Sequence, residues 1–448
     1  MPSSKNILLI NPWIYDFTAY DYWLKPFGLL YIASILKEET NCRLSFIDCL
    51  DRHHPLLKKK LRAKPDGRGN FPKEEVTKPP VLKKVPRRYS RYGIPVPLFL
   101  HELDRLPKPE IVLLTCTMTY WYPGVELVSE LVRQKFGQVP LVLGGIYATL
   151  MPEHARSHSG ADIVIEGAAE NKILPLLREI LGSSFSCDRK FRSLEDIPWP
   201  AFDLLRNREA LPLLTSRGCP FRCSFCASHL LYENFEQRSP SSVIGEIEDS
   251  YRRYKTRHFA FYDDALLLNK ERHIFPILRE LVQRKMPLIL HAPNGLHVRE
   301  IDSELAFLFK KAGVQSLFLS QESLDEELLK RVCPKVRAGD LEKALIHLEK
   351  AGYKRQEINV YLIVGLPGQD ISAVKESILS VRNLGARPRL AYFSPVPGTE
   401  EWRNLVQKGY LPQDADPLLH NKLTFPYLWG DFEPSDFEAV RSFLNSPG

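Results

Sequence analysis

Short aliphatic runs alternate with stretches of helical period along most of this 448-residue chain, and that alternation restricts the possible folds more than any other feature. The first set of runs is Ile7–Ile10, Leu44–Asp48, Ile111–Leu114, Leu141–Leu143 and Ile163–Ile165, with helical stretches at Gly28–Glu39, Pro123–Phe136 and Glu170–Leu181. Runs of three to five residues without polar alternation suit strands covered on both faces, so they predict a doubly wound, parallel α/β domain. A second set begins at Leu211–Leu214 and continues at His258–Tyr262, Leu288–His291, Ser316–Ser320, Ile358–Val364 and Leu390–Ser394, with a helical stretch between each pair. Six such units predict about three-quarters of a (β/α)8 barrel, open on one side. Between the sets, Pro198 and Pro200 bar regular pairing on either side of Trp199. The expected organisation is therefore a Rossmann-like domain at 1–186, a linker at 187–210, a partial (β/α)6 barrel at 211–400 and a tail at 401–448.

A hydrophobic content of 44% over this length is enough for two cores. No secretory leader and no apolar run of membrane-spanning length is visible, which predicts a cytoplasmic protein in a reducing compartment. Cys42, Cys49, Cys116, Cys187 and Cys333 are scattered irregularly and suggest no disulfide framework, and Cys116 and Cys333 read most plainly as small buried hydrophobes. The net charge of +7 comes from one stretch, residues 51–100, with 14 Lys/Arg against 4 Asp/Glu and eight prolines. That composition predicts an extended, partly ordered insertion, either a solvated loop or a clamp on an anionic partner. Aromatics for base stacking are sparse there, so nucleic acid is not an expected partner.

The remaining three cysteines are Cys219, Cys223 and Cys226, spaced C-x3-C-x2-C just after the first strand of the second set. In a β/α barrel that loop lies on the catalytic face. Three thiolates leave one iron of a [4Fe-4S] cluster free for a ligand, whereas structural zinc normally takes four protein ligands. Two plainer readings stand beside this one: His229 would complete a Cys3His zinc site, and clustered thiols can be inert core residues.

The motif in this setting resembles the cluster loop of the radical S-adenosylmethionine (SAM) enzymes. The resemblance implies a cluster on Cys219, Cys223 and Cys226, with SAM bound by residues at successive strand ends. Those are Phe225 in the loop, Tyr262, Asp263 and Asp264 after the second strand, and Asn294 after the third. Glu322 and Ser323 follow the fourth, and Val364 and Gly365 belong to the turn Leu362-Ile-Val-Gly-Leu-Pro-Gly368. Ser320-Gln321 stands where the family places a glycine ahead of its glutamate. Arg217 and Arg222 flank the cysteines and would either offset cluster charge or bond the SAM carboxylate, an ordinary exposed surface position being the plainer reading of each. The implied chemistry is reductive cleavage of SAM to a 5′-deoxyadenosyl radical, fed by a low-potential donor of flavodoxin or ferredoxin type; no side chain is assigned as catalytic.

The loops of the first set are similar to the cobalamin-binding domain preceding the barrel in the B12-binding subfamily of those enzymes. Asn11-Pro12, Pro26–Ser34, Gly144-Gly145, Pro152-Glu153-His154, Glu166-Gly167 and Glu170 carry the likeness. It implies cobalamin held by Asn11, Thr117, Thr119, Tyr120, Gly144, Gly145, Thr149, Glu166 and Gly167. A glycine pair admits a large flat macrocycle, and hydroxyls can bond its amide arms. The chain lacks an Asp-x-His-x-x-Gly motif, so no histidine reaches cobalt in the usual manner of that family. The implied activity is methyl transfer to an unactivated carbon of a small molecule or peptide. A cobalamin-free radical SAM oxidoreductase or cyclase is the alternative, and an iron-sulfur electron carrier or SAM sensor a third reading.

Overall fold

Ile7, Leu8, Leu9 and Ile10 are each at most 1% exposed, as a strand central to a covered sheet requires. The computed structural model describes residues 5–58, 61, 64–182, 189–337, 339–424, 427 and 433–445. It divides into two units, Met1–Arg208 with Pro417–Leu419 and Glu209–Asp416 with His420–Gly448. No described helix is long and apolar enough to cross a membrane.

The strands of the first unit are β1 (Asn6–Asn11), β2 (Ile14–Asp16), β3 (Arg43–Asp48), β4 (Lys73–Glu75), β5 (Ser90–Tyr92), β6 (Ile111–Thr115), β7 (Leu141–Gly144) and β8 (Ile163–Val164). Five form a parallel sheet in the order β3-β1-β6-β7-β8. Winding reverses between β1 and β6. At such a switch point the loops leaving adjacent strands diverge and open a crevice at the carboxyl edge.

The basic stretch departs from expectation. Its strands β4 and β5 join β2 in a three-stranded antiparallel sheet, with Ile14 opposite Tyr92 and Tyr92 opposite Lys73. Ile14, Leu50, Phe71 and Tyr92 form one buried cluster. Arg52 is itself buried, its Nε donating to Asp21 Oδ2 at 2.9 Å. The apolar residues between the lysines build a small core, a signal that the charge count hid. Lys59, Lys60 and Arg62 lie outside the described residues, as does Cys187.

The expected linker is likewise packed. Ser34 Oγ donates to Pro198 O at 3.2 Å, Ala201 N to Leu30 O at 3.1 Å, and Leu194 and Phe202 are 2% and 3% exposed. Proline loses its N–H but keeps its carbonyl, so Pro198 still binds a neighbour. The first unit thus runs to Arg208, past the expected end at 186.

The second unit holds β9 (Ala210–Leu213), the two-residue strands β10 (Ser216–Arg217) and β11 (Glu236–Gln237), then β12 (His258–Phe261), β13 (Ile289–His297), β14 (Val314–Glu322), β15 (Asn359–Val364) and β16 (Arg387–Tyr392). Six are parallel in the order β16-β15-β14-β13-β12-β9, each beside its neighbour in the series. β9 and β16 do not pair, so the barrel is open as expected. β13 continues six residues beyond the expected His291. A register slip between Ala292 and Leu296 takes up Pro293-Asn294-Gly295, so Asn294 lies inside the strand and not after it.

Candidate functional site

The cysteine loop leaves β9 at the carboxyl edge of the barrel and is bracketed by the antiparallel pair β10 and β11. Its middle is held by backbone and side-chain bonds. Cys226 N donates to Cys223 O at 3.0 Å and Ser224 N to Val332 O at 3.0 Å. Ser224 Oγ donates to Glu401 Oε1 at 2.8 Å, and Glu401 N returns a bond to Ser224 O at 3.1 Å. Glu401, 1% exposed, enters through the helix Glu400–Gln407, whose first turn Thr399 caps by accepting from Trp402 N. Removing that carboxylate strands a buried hydroxyl, so Glu401→Ala is expected to cost about 1–3 kcal/mol in urea unfolding, with Glu401→Gln costing less.

Cys223 is 5% exposed, while Cys219 and Cys226 are half-buried. The three thiols lie within electrostatic range of one another, and burial pushes Cys226 up to about 11 and Cys219 upward. Among the described residues no three His, Cys, Asp or Glu side chains converge on one point, the geometry that a single ion needs. The loop's three thiols are the ligand number that a [4Fe-4S] group with one open iron takes. Sequence reasoning placed no fourth cysteine near these three, but the fold brings Cys333 Sγ to 3.7 Å from Cys223 Sγ. That contact favours the proton on Cys333 and the thiolate on Cys223.

Beside the loop is a cleft where Cys219, Asp263, Asp264 and Asn294 meet two residues not anticipated, His297 and Lys335. Asp263 is 3% exposed, and its Oδ1 accepts from Thr215 N, Thr215 Oγ1 and Ser216 Oγ at 3.0, 2.7 and 2.6 Å. Half of the carboxylate is thus committed to shaping the loop, while Oδ2 has no partner among the described residues. Asp264 accepts from Ser228 Oγ at 2.6 Å, and Asn294 Nδ2 donates to Tyr262 O at 3.0 Å. His297 stacks on Phe221 with ring centroids 4.7 Å apart, its Nε2 likewise unpartnered, and burial lowers its pKa to about 3. A cleft with an open acceptor, a neutral imidazole and a free ammonium suits a zwitterionic ligand.

Asp263 also yields a pH dependence. Burial raises its carboxyl from 3.8 to about 6 against the pull of Ser216 and Thr215. The fold therefore prefers the protonated form: its stabilising contribution is full below 3.8 and is lost as pH rises to about 6. The stability of wild type minus Asp263→Asn, from urea unfolding of the apoprotein, is expected to fall by on the order of 2 kcal/mol across that window and then level off.

The other expected SAM residues are distributed around the same edge. Glu322 ends β14 at φ +65°, a conformation rare for a side-chain-bearing residue, and accepts from Ser320 Oγ. Ser323 Oγ accepts from Asp325 N at 3.0 Å, and Phe225 is half-buried in the loop. Val364 is fully buried, and Gly365 N already donates to Gln369 Oε1 at 2.8 Å, so the turn is closed by a side chain of its own. Arg217 lies over the Tyr232 ring and Arg222 is exposed.

In the first unit, Asn11, Trp13, Thr115, Cys116 and Thr117 line the switch-point crevice. Asn11 Nδ2 donates to Asp48 Oδ1 at 2.7 Å. Thr119 and Tyr120 are buried in the turn after β6. Thr149 Oγ1 donates to Gly145 O and accepts from Gly167 N, both at 2.9 Å, so it ties two loops together. Glu166 pairs with Arg156. Gly144 and Gly167 face open space, whereas a Cβ on Gly145, at φ +95°, would meet Cys116 O and Thr115 Oγ1 at 2.8 Å.

Residues 213–381 match the Radical SAM superfamily, and residues 92–176 match the B12 binding domain. The chain is a B12-binding radical SAM protein. As such it is 26% identical over 331 residues to an uncharacterized methyltransferase of Pyrococcus horikoshii, covering 68% of this chain and 71% of that one. It is 23% identical to the hopanoid C-3 methylase of Methylococcus capsulatus, over 74% and 68% of the two chains. With the anaerobic magnesium-protoporphyrin IX monomethyl ester cyclase of Rubrivivax gelatinosus it shares 23% identity, but spans only 59% of that enzyme. In fold this radical SAM protein resembles the methyltransferase TsrM of Kitasatospora setae, solved with cobalamin and a [4Fe-4S] cluster, with a TM-score of 0.69 at 16% identity over 98% of this chain and 88% of that one.

Proposed function

We propose that this radical SAM protein is a cobalamin-dependent C-methyltransferase acting on an unactivated carbon. The observation that carries the SAM part is the cleft in the second unit, where the three-thiol loop adjoins the unpartnered Asp263 Oδ2, His297 Nε2 and Lys335 ammonium. Cys219, Cys223 and Cys226 would hold the cluster, and Asp263, Asp264, Asn294 and Glu322 would meet the polar groups of SAM. When bound, cluster and SAM supply radical generation, and cobalamin supplies a transferable methyl group. The chain's own part is to fix these groups on strand ends and to keep the site dry. The crevice between β1 and β6, lined by Asn11, Thr115, Cys116 and Thr117, and the open space at Gly144 and Gly167 after β7 and β8 favour a large flat ligand at this edge of the sheet. Asn11, Thr117, Gly144, Thr149 and Gly167 would hold cobalamin there, and titration with hydroxocobalamin is expected to show saturable binding. The methylase and methyltransferase names among the relatives favour methyl transfer over the cyclase alternative. The electron would come from a flavodoxin- or ferredoxin-type donor in the cytoplasm. Anaerobic reconstitution followed by iron and sulfide analysis, a cobalamin spectrum and chromatography of the products of SAM tests the reading. Protein that cleaves SAM yet retains no cobalamin overturns the methyltransferase and leaves the cobalamin-free enzyme.

A further inference from the structure

The segment after the helix Glu326–Val332 is pinned to the cysteine loop at two places: Val332 O accepts from Ser224 N at 3.0 Å, and Cys333 Sγ lies 3.7 Å from Cys223 Sγ. Two residues on, Lys335 enters the cleft lined by Cys219, Asp264, Asn294 and His297. It is half-buried, and its ammonium makes no hydrogen bond or ion pair among the described residues. The thiols of Cys219 and Cys223 and the carboxylate of Glu322 stand within its electrostatic range, as does Asp264. Three other cations of this neighbourhood are engaged or exposed. Arg331 lies 3.3 Å from Glu401 and donates to Pro367 O, Arg217 lies over Tyr232, and Arg222 is exposed.

We propose that Lys335 is the charge partner of the iron-sulfur cluster, a positioning residue whose half-buried ammonium sets how readily the cluster accepts an electron. The proposal rests on reading the cysteine loop as a cluster site. Reduction adds one electron from the external donor and one negative charge, with no bond made or broken. A fixed cation in a cleft of low dielectric stabilises the more negative state, so it raises the reduction potential. The segment's two contacts with the loop hold the backbone ahead of Lys335 beside the cysteines.

The test compares wild type, Lys335→Met and Lys335→Arg, each reconstituted anaerobically, by iron and sulfide content and by redox titration followed by electron paramagnetic resonance. At the poise where wild type is half reduced, Lys335→Met is expected to show a ratio of reduced to oxidised cluster about tenfold lower, equal to about 59 mV for a one-electron couple. Lys335→Arg is expected to restore most of that ratio. Lys335→Met with wild-type iron content and an unchanged midpoint overturns the proposal. Cluster assembly in Lys335→Arg but not in Lys335→Met supports it as a requirement for charge, while loss of the cluster from both folded variants overturns it in favour of shape. Wild type that takes up no iron overturns the cluster reading itself, which separates the two failures.

Discussion

Cys226→Ala is expected to fold like wild type, to retain no stable cluster after anaerobic reconstitution, and to form 5′-deoxyadenosine only at background. The folding half of that expectation follows from the anchors of the loop, since Ser224 keeps its bonds to Val332 and Glu401 whatever occupies position 226. The chemical half follows from ligand number, because two thiols cannot hold three irons of a cubane. Cys223→Ala is expected to lose the cluster as well, but it needs a control that the sequence did not suggest. Cys333 lies 3.7 Å away and carries a thiol, so iron retained by Cys223→Ala and lost from Cys223→Ala with Cys333→Ala would reveal a substitute ligand. Stoichiometric zinc in wild type, without visible-region absorption, would sink the cluster assignment.

Gly144→Leu is expected to weaken cobalamin binding roughly ten- to hundredfold, the equivalent of about 1–3 kcal/mol for forcing bulk into a filled space. Gly144 ends β7 at the carboxyl edge, its φ is not positive, and a Cβ there meets nothing, so the apoprotein should tolerate the change. Gly145 is the poorer probe. A side chain there would press on Cys116 O and Thr115 Oγ1 and would add the cost of holding a positive-φ, extended-ψ conformation that is almost exclusive to glycine, about 1–3 kcal/mol. Gly145→Leu would therefore damage the domain before any ligand arrived. Titration with hydroxocobalamin, beside urea unfolding of each variant, distinguishes the two. Equal affinity in Gly144→Leu and wild type would place the corrin elsewhere.

Strand positions were legible because aliphatic runs of fixed length admit few arrangements, and all five runs of the first set and six of the second became sheet strands. The cysteines and the acidic turn Asp263-Asp264 were legible because their chemistry is local to a few residues. Lys335 and His297 were not. Lys335 sits among Arg331 and Arg337 in a stretch with the composition of a solvated charged surface, and only the fold brings it to the cleft that Cys219 lines. Glu401 carried a weak signal, since Thr399-Glu400-Glu401 reads as a helix start, but nothing local says that its carboxylate meets Ser224, 177 residues earlier. The end of β13 was missed because Pro293-Asn294-Gly295 has the composition of a turn, and a bulge is recognisable only against its partner strand.

The bond between Ser224 and Glu401 sets an order of events during synthesis. Translation delivers all three cysteines long before position 401, yet the loop reaches its final shape only when the helix Glu400–Gln407 has docked. A nascent chain stopped ahead of Thr399 would expose Cys219, Cys223 and Cys226 on a tether that has one of its fixing points missing. A chain cut ahead of Thr399 would thus keep the barrel strands but hold its cysteine loop less firmly.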